Sequence, residues 1–115
     1  EMDTNANGTY VRWTNGLQIC YVEKNDGMQS LSSYGALNTV MNGGEPVNFN
    51  WVFPAAFASN PEVIANFCRP SLDEQFDGFI SVRIVNPGNA HYRYVAVQSG
   101  SFTLRCFLLA VGRWK

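Results

Sequence analysis

Phe102-Thr103-Leu104-Arg105-Cys106-Phe107-Leu108-Leu109-Ala110-Val111-Gly112-Arg113-Trp114-Lys115 is the stretch whose reading decides the fold. It is a long β-type run behind a Ser99-Gly100-Ser101 turn. A strand covered on one face alternates apolar with polar residues, and one covered on both faces reads as a continuous apolar run. Phe102, Leu104, Cys106, Leu108 and Ala110 fall on one face. The opposite face begins polar at Thr103 and Arg105 and turns apolar at Phe107, Leu109 and Val111. The run thus leaves solvent partway and becomes covered on both sides, which in a small all-β domain points to an oligomer interface. Arg105, Phe107, Leu109, Val111, Arg113 and Trp114 are the candidate interface residues. Arginine suits an ion pair between subunits, and Trp114 is expected to pack across the seam.

Period-two patterning recurs upstream. Asn15-Gly16 between Tyr10–Thr14 and Leu17–Val22 predicts a hairpin with a type I′ turn, whose two central residues both need positive φ. Val47, Phe49, Trp51 and Phe53 share one face of a strand that Pro54 ends. Phe57 anchors the connection to a strand over Glu62–Cys68. Phe79–Val85 follows with Ile80, Val82 and Ile84 inside, and Asn86-Pro87-Gly88-Asn89 turns the chain into a strand over His91–Val97. Between the turn-like Asn25-Asp26-Gly27 and Asn42-Gly43-Gly44, residues 28–41 have no clear period and read as a loop or a short strand pair. Trp51 is expected in the core, and Trp13 with it beside Val11. No stretch holds a helical period. Six or seven strands with short turns make a small antiparallel β-sandwich over residues 9–115, preceded by a polar lead-in, residues 1–8, from an upstream segment.

At 115 residues there is room for one core. A net charge of -1 with 15% charged and 14% aromatic residues fits a domain that buries surface in a partner or in copies of itself. The scattered Lys and Arg argue against nucleic acid as that partner. Cys20, Cys68 and Cys106 lack metal-ligand spacing and read as buried thiols of a protein folded in a reducing cytosol. No apolar run reaches the roughly 18 residues of a membrane span. No cofactor motif and no metal set is present in the sequence.

Binding chemistry concentrates at two loops. His91, the single histidine, stands beside Tyr92, Arg93 and Tyr94, next to the turn that holds Asn89. Saccharides are held by an aromatic face against the sugar ring and by converging donors and acceptors, and this run offers both at a loop edge. Asp73, Glu74 and Asp77 form an acidic loop. Such carboxylates could flank a glycosidic bond or hold a hard cation, but their spacing matches no calcium loop, and a solvated rim is the simpler reading. The candidate ligand surface is therefore Asp73, Glu74, Asp77, Asn89, His91, Tyr92, Arg93 and Tyr94. No catalytic residue is expected.

Several blocks also resemble a known family. Asn7-Gly8 with Val11-Arg12-Trp13-Thr14-Asn15-Gly16-Leu17-Gln18-Ile19-Cys20 resembles the opening of the C-terminal domain of bacteriophage tail fibre proteins. Trp51-Val52-Phe53-Pro54-Ala55-Ala56-Phe57 with Asn60-Pro61-Glu62-Val63 is similar to that family's aromatic-Phe-Pro-x-x-Phe segment and the strand after it. Ser101-Phe102-Thr103 and Ala110-Val111-Gly112-Arg113-Trp114 resemble its last strand, although Leu108-Leu109 stands where the family usually has an aromatic. The resemblance implies an H-type-lectin-like sandwich assembled as a homotrimer at the distal tip of a virion's fibre. It would be synthesised in the host cytoplasm, joined to an upstream fibre or baseplate protein, and would bind a host surface polysaccharide or outer-membrane receptor. A structural trimerisation or capping module and a secreted H-type lectin are the alternatives.

Overall fold

Strand-forming alternation carries through far more of the chain than turn chemistry suggests. The computed structural model describes residues 1–68 and 77–115, and among them there are ten strands and no helix. They are β1 Met2–Asn5, β2 Gly8–Arg12, β3 Leu17–Tyr34, β4 Leu37–Asn42, β5 Glu45–Pro46, β6 Phe49–Val52, β7 Glu62–Phe67, β8 Gly78–Asn86, β9 Asn89–Ala96 and β10 Gly100–Arg113. Every described pairing is antiparallel. The strand order runs β1-β2-β3-β4-β9-β6, with β10 between β3 and β7, β8 on β9 and β5 on β4.

β3 is the element the rest curls around. Its 18 residues, at about 3.3 Å each, would reach about 56 Å, yet the longest extent of the molecule is 46 Å. It must bend, and a β-bulge is where it does so. Leu104 of β10 lies opposite Gly27 and Arg105 lies opposite Asn25, which leaves Asp26 as an extra residue. Such an insertion bends the strand and increases its twist. Asn25-Asp26-Gly27, read from sequence as a turn, is this bulge. β10 pairs on both sides of it, from Gly100↔Leu31 to Arg113↔Leu17, and so holds the chain extended. Beyond the bulge, β3 pairs with β4 through Leu31↔Val40 to Tyr34↔Leu37, and β4 hands the sheet on to β9. The segment without clear period is thus the far half of β3 with β4.

The curled sheet encloses a single cluster of buried side chains. Cys20, Leu104, Cys106, Leu108 and Ala110 come from β3 and β10, and Trp51, Ala90, Tyr92, Tyr94 and Ala96 from β6 and β9. Each large side chain so buried contributes about 1.5–3 kcal/mol. Trp51 is in the core as its phase predicts, with its Nε1–H on the Asn7 carbonyl at 2.9 Å. Its ring meets Phe53 edge-on at 4.9 Å, and Phe53 meets Phe57 at 5.2 Å. Gln18 and Thr39 are the polar residues buried among those described; the first is a tie between strands. Gln18 Oε1 accepts from Arg12 Nε at 2.6 Å, and Gln18 Nε2 donates to the Ala55 carbonyl at 2.9 Å, tying the β6–β7 connection to β3. Cys20, Cys68 and Cys106 are free thiols, and burial pushes the Cys20 thiol up from its ordinary value.

Three local expectations change. The Asn15-Gly16 hairpin forms, with Arg12 opposite Gln18, but only Gly16 has positive φ, at 98°. Gly16 N–H donates to Trp13 O at 3.0 Å, and Trp13 N–H to Leu17 O at 2.9 Å. This is a type I turn with a glycine bulge, not type I′. Trp13 consequently sits on the loop, 43% exposed, and not in the core. Residues 2–5, read as lead-in, pair with β2 from Met2↔Val11 to Asn5↔Gly8.

Candidate functional site

β8 and β9 are joined through Pro87-Gly88, with the Asn86 side chain accepting from the Gly88 and Asn89 amides at 2.7 and 3.1 Å. A tight turn at Asn86↔Asn89 would, without irregularity, set Arg83 opposite Tyr92. A shift between Ile84 and Asn86 moves the register by one, so Arg83 lies opposite His91 and Ser81 opposite Arg93. A slip of one residue exchanges the faces of a strand. This shift decides the site, because it puts Arg83 on the same outward face as His91 and Arg93.

Three cross-strand rows build that face. Arg83, His91 and Asn50 form the first, Ser81 and Arg93 the second, and Phe79, Val95 and Thr39 the third. Directly opposed side chains lie about 5 Å apart at Cβ and diagonal ones about 7–8 Å. Arg83 and His91 of the first row, Ser81 and Arg93 of the second, and Asn48 line a depression of about 190 Å³. Ser81 and Arg93 also line a neighbouring depression of about 240 Å³, whose other walls include Tyr34, Leu37, Phe79 and Val95. The two are halves of one groove, one polar and basic, the other apolar. Its aromatic walls stand in solvent, Phe79 at 53% and Tyr34 at 52% exposed.

Within the polar half, Arg93 Nε donates to Asn48 Oδ1 at 2.6 Å, which fixes the plane of its guanidinium. Arg83 Nη2 lies 3.4 Å from His91 Nδ1. A guanidinium only donates, so this contact leaves Nδ1 as the acceptor and puts the ring proton on Nε2. Neither arginine has a carboxylate partner among the described residues; the ion pairs there are Arg12–Glu1 and Arg105–Glu23.

The sequence-read candidates divide. His91 and Arg93 are in the groove. Tyr92 also borders the first depression, but the side chains of Tyr92 and Tyr94 are fully buried, because alternate residues of β9 point to opposite sides. Their rings cannot stack on a ligand at this surface. Both hydroxyls instead donate to Oδ2 of Asp26, at 2.7 and 2.6 Å. Burial first, and this carboxylate second, hold both phenols well above their ordinary value. The bulge thus aims Asp26 at two core tyrosines. Asn89 lies at the groove's edge, its Nδ2 on Asn50 Oδ1 at 2.7 Å. Asp77 is exposed at the far end of β8, its carbonyl accepting from Val97 at 2.9 Å. Asp73 and Glu74 lie outside the described residues. Tyr34, Asn48, Phe79, Ser81 and Arg83 are groove residues that the sequence reading did not single out.

On the other side of the molecule, the outward face of β10 carries Phe107, Leu109 and Val111, with Glu23, Tyr21 and Ile19 of β3 and Asn66, Ile64 and Glu62 of β7 alongside. Phe107 is 40% and Ile64 60% exposed. Arg105 pairs with Glu23 at the edge of this face. The remaining interface candidates are engaged within the chain. Arg113 donates to the Asn15 carbonyl at 2.7 Å, and Trp114 Nε1–H to the Trp13 carbonyl at 2.9 Å, with the Arg12 guanidinium over its ring. No family model, curated protein or solved structure matches this chain.

Proposed function

We propose that this chain is a non-enzymatic receptor-binding tip of a bacteriophage tail fibre, which holds a saccharide of the host surface in the β8–β9 groove. The observation that carries the reading is the groove's two-part lining. Asn48, Ser81, Arg83, His91 and Arg93 supply donors and acceptors in two adjacent rows, and Phe79 and Tyr34 supply solvent-facing ring surface next to them. That is the chemistry of sugar recognition: polar groups fix the hydroxyls, and an aromatic wall covers the apolar side of the ring. The blocks resembling tail-fibre C-terminal domains fall on β2–β3, β6 with the connection after it, and β10, the strands that enclose the core.

In this reading the antiparallel sheet is an H-type-lectin-like sandwich, and three copies meet through the Phe107–Ile64 face. Trimerisation would multiply a weak single-site affinity through avidity. The same apolar face supports a second reading, a module that trimerises or caps a fibre while another protein reads the host. Binding of the purified, labelled chain to an array of bacterial surface polysaccharides separates the two. A selective hit that weakens in Phe79→Ala and Arg93→Gln supports the adhesin. Silence across the array, from a chain that sediments as a trimer, supports the structural module.

A further inference from the structure

We infer that the groove selects a negatively charged saccharide, one whose ring bears a carboxylate or a phosphate. The inference rests on the saccharide reading above and names the chemical class of its ligand. Arg83 and Arg93 stand diagonally across β8 and β9, with His91 between them on the same face. Like charges placed together on a sheet destabilise it, and no described carboxylate offsets these two. Asp77, just before β8, is four residues from Ser81, about 13 Å of extended chain, and beyond the apolar row of Phe79 and Val95. Among the described residues, the groove therefore holds two guanidinium forks with no carboxylate partner, the group that best matches a carboxylate or phosphate in two parallel hydrogen bonds. Arg93 is already oriented by Asn48 through Nε, which leaves both terminal nitrogens free to donate among the described contacts. With Nδ1 accepting from Arg83, the His91 ring offers Nε2–H as a third donor.

Geometry assigns the two ends of the ligand. The charged substituent sits between Arg83, His91 and Arg93. The ring extends over Ser81 toward Phe79 and Tyr34, in the apolar half that shares Ser81 and Arg93 with the first. Each half is smaller than the roughly 300 Å³ of an ordinary small-molecule pocket, a scale suited to a single sugar residue and its substituent.

The test uses the purified chain and a panel of acidic bacterial polysaccharides, some uronate- or sialate-bearing and some carrying phosphate monoester side groups. Each is presented beside its carboxyl-reduced or dephosphorylated form, together with neutral glucans and mannans. The expected result is binding to at least one acidic polymer, about tenfold or more weaker for its neutralised form and for Arg83→Gln or Arg93→Gln. Arg93→Lys, which keeps the charge and loses the fork, should fall between. The acidic polymers that bind also tell carboxylate from phosphate. Equal binding to acidic and neutralised forms would overturn the inference while leaving the saccharide reading intact. Acid-selective binding unchanged in both Arg→Gln variants would also overturn it, by placing the charge recognition elsewhere. Binding to no polymer would overturn the saccharide reading, and the inference with it. Thermal unfolding of each variant separates lost binding from lost folding.

Discussion

Replacing Asp26 with alanine should destabilise the protein more than any other single change at the β3 bulge. One carboxylate oxygen, Oδ2, accepts from Tyr92 at 2.7 Å and from Tyr94 at 2.6 Å, and both rings are fully buried. Removing the acceptor strands two phenolic donors, each costing about 1–3 kcal/mol when left without a partner. Asp26 itself is half-buried, so water reaches part of the vacated space and the expected loss is about 2–4 kcal/mol. Asp26→Asn keeps an oxygen at the same place and loses only the charge assistance, about 1 kcal/mol. Tyr92→Phe with Tyr94→Phe removes the stranded donors, so adding Asp26→Ala to that pair should cost much less than it does in the native background. Urea unfolding followed by tryptophan fluorescence reads these differences at fixed protein concentration. With a slope of about 1.5 kcal/mol/M, Asp26→Ala lowers the midpoint by about 1.3–2.7 M. A shift below about 0.3 M, or equal costs in the two backgrounds, would refute the role given to this carboxylate.

Other outcomes follow from the same packing. Burial, above all, holds the Cys106 thiol up at about 11 against its ordinary 9.0. Between those values the unfolded chain has lost a proton that the folded chain keeps, so stability should fall as pH rises, by about 1.4 kcal/mol per pH unit. The raised Tyr92 and Tyr94 phenols steepen the fall above about pH 10; a melting temperature constant from about pH 8 to 10.5 would contradict this. Gln18→Leu leaves the Ala55 carbonyl without its amide and should cost about 2–3 kcal/mol, read as a drop of roughly 8–12 °C in Tm. Phe107→Glu puts a charge on the apolar face of β10 and should convert a trimer to monomer in sedimentation velocity. A wild-type chain that is monomeric at micromolar concentration would exclude that face as a seam.

Much of the architecture is legible in the alternation of side chains. Val47, Phe49, Trp51 and Phe53 face the core as their spacing requires, and Leu104, Cys106, Leu108 and Ala110 do the same from β10. What escaped the sequence lies at irregularities that only pairing partners determine. Asn25-Asp26-Gly27 carries turn residues, yet with β10 pairing on both sides of it the chain bulges instead of reversing. The shift near Val85 is equally silent in the sequence, and it alone brings Arg83 to His91. The site was half visible for the same reason. His91 and Arg93 line the candidate groove from within β9, whereas the strand's period of two sends the Tyr92 and Tyr94 side chains inward. The exposed aromatics Tyr34 and Phe79 are brought beside Arg93 from β3 and β8 by the curl of the sheet. Strict alternation with Ile80, Val82 and Ile84 was a usable signal that Phe79, Ser81 and Arg83 face outward.

The most direct test of the groove is a titration of the isotope-labelled chain with a short acidic oligosaccharide from a polymer it binds, followed by NMR. The account requires the perturbed signals to cluster at Ser81, Arg83, His91 and Arg93, with Phe79 and Tyr34 responding as the ring wall. Perturbations centred on the Phe107–Ile64 face, or binding with those six residues unmoved, would contradict it.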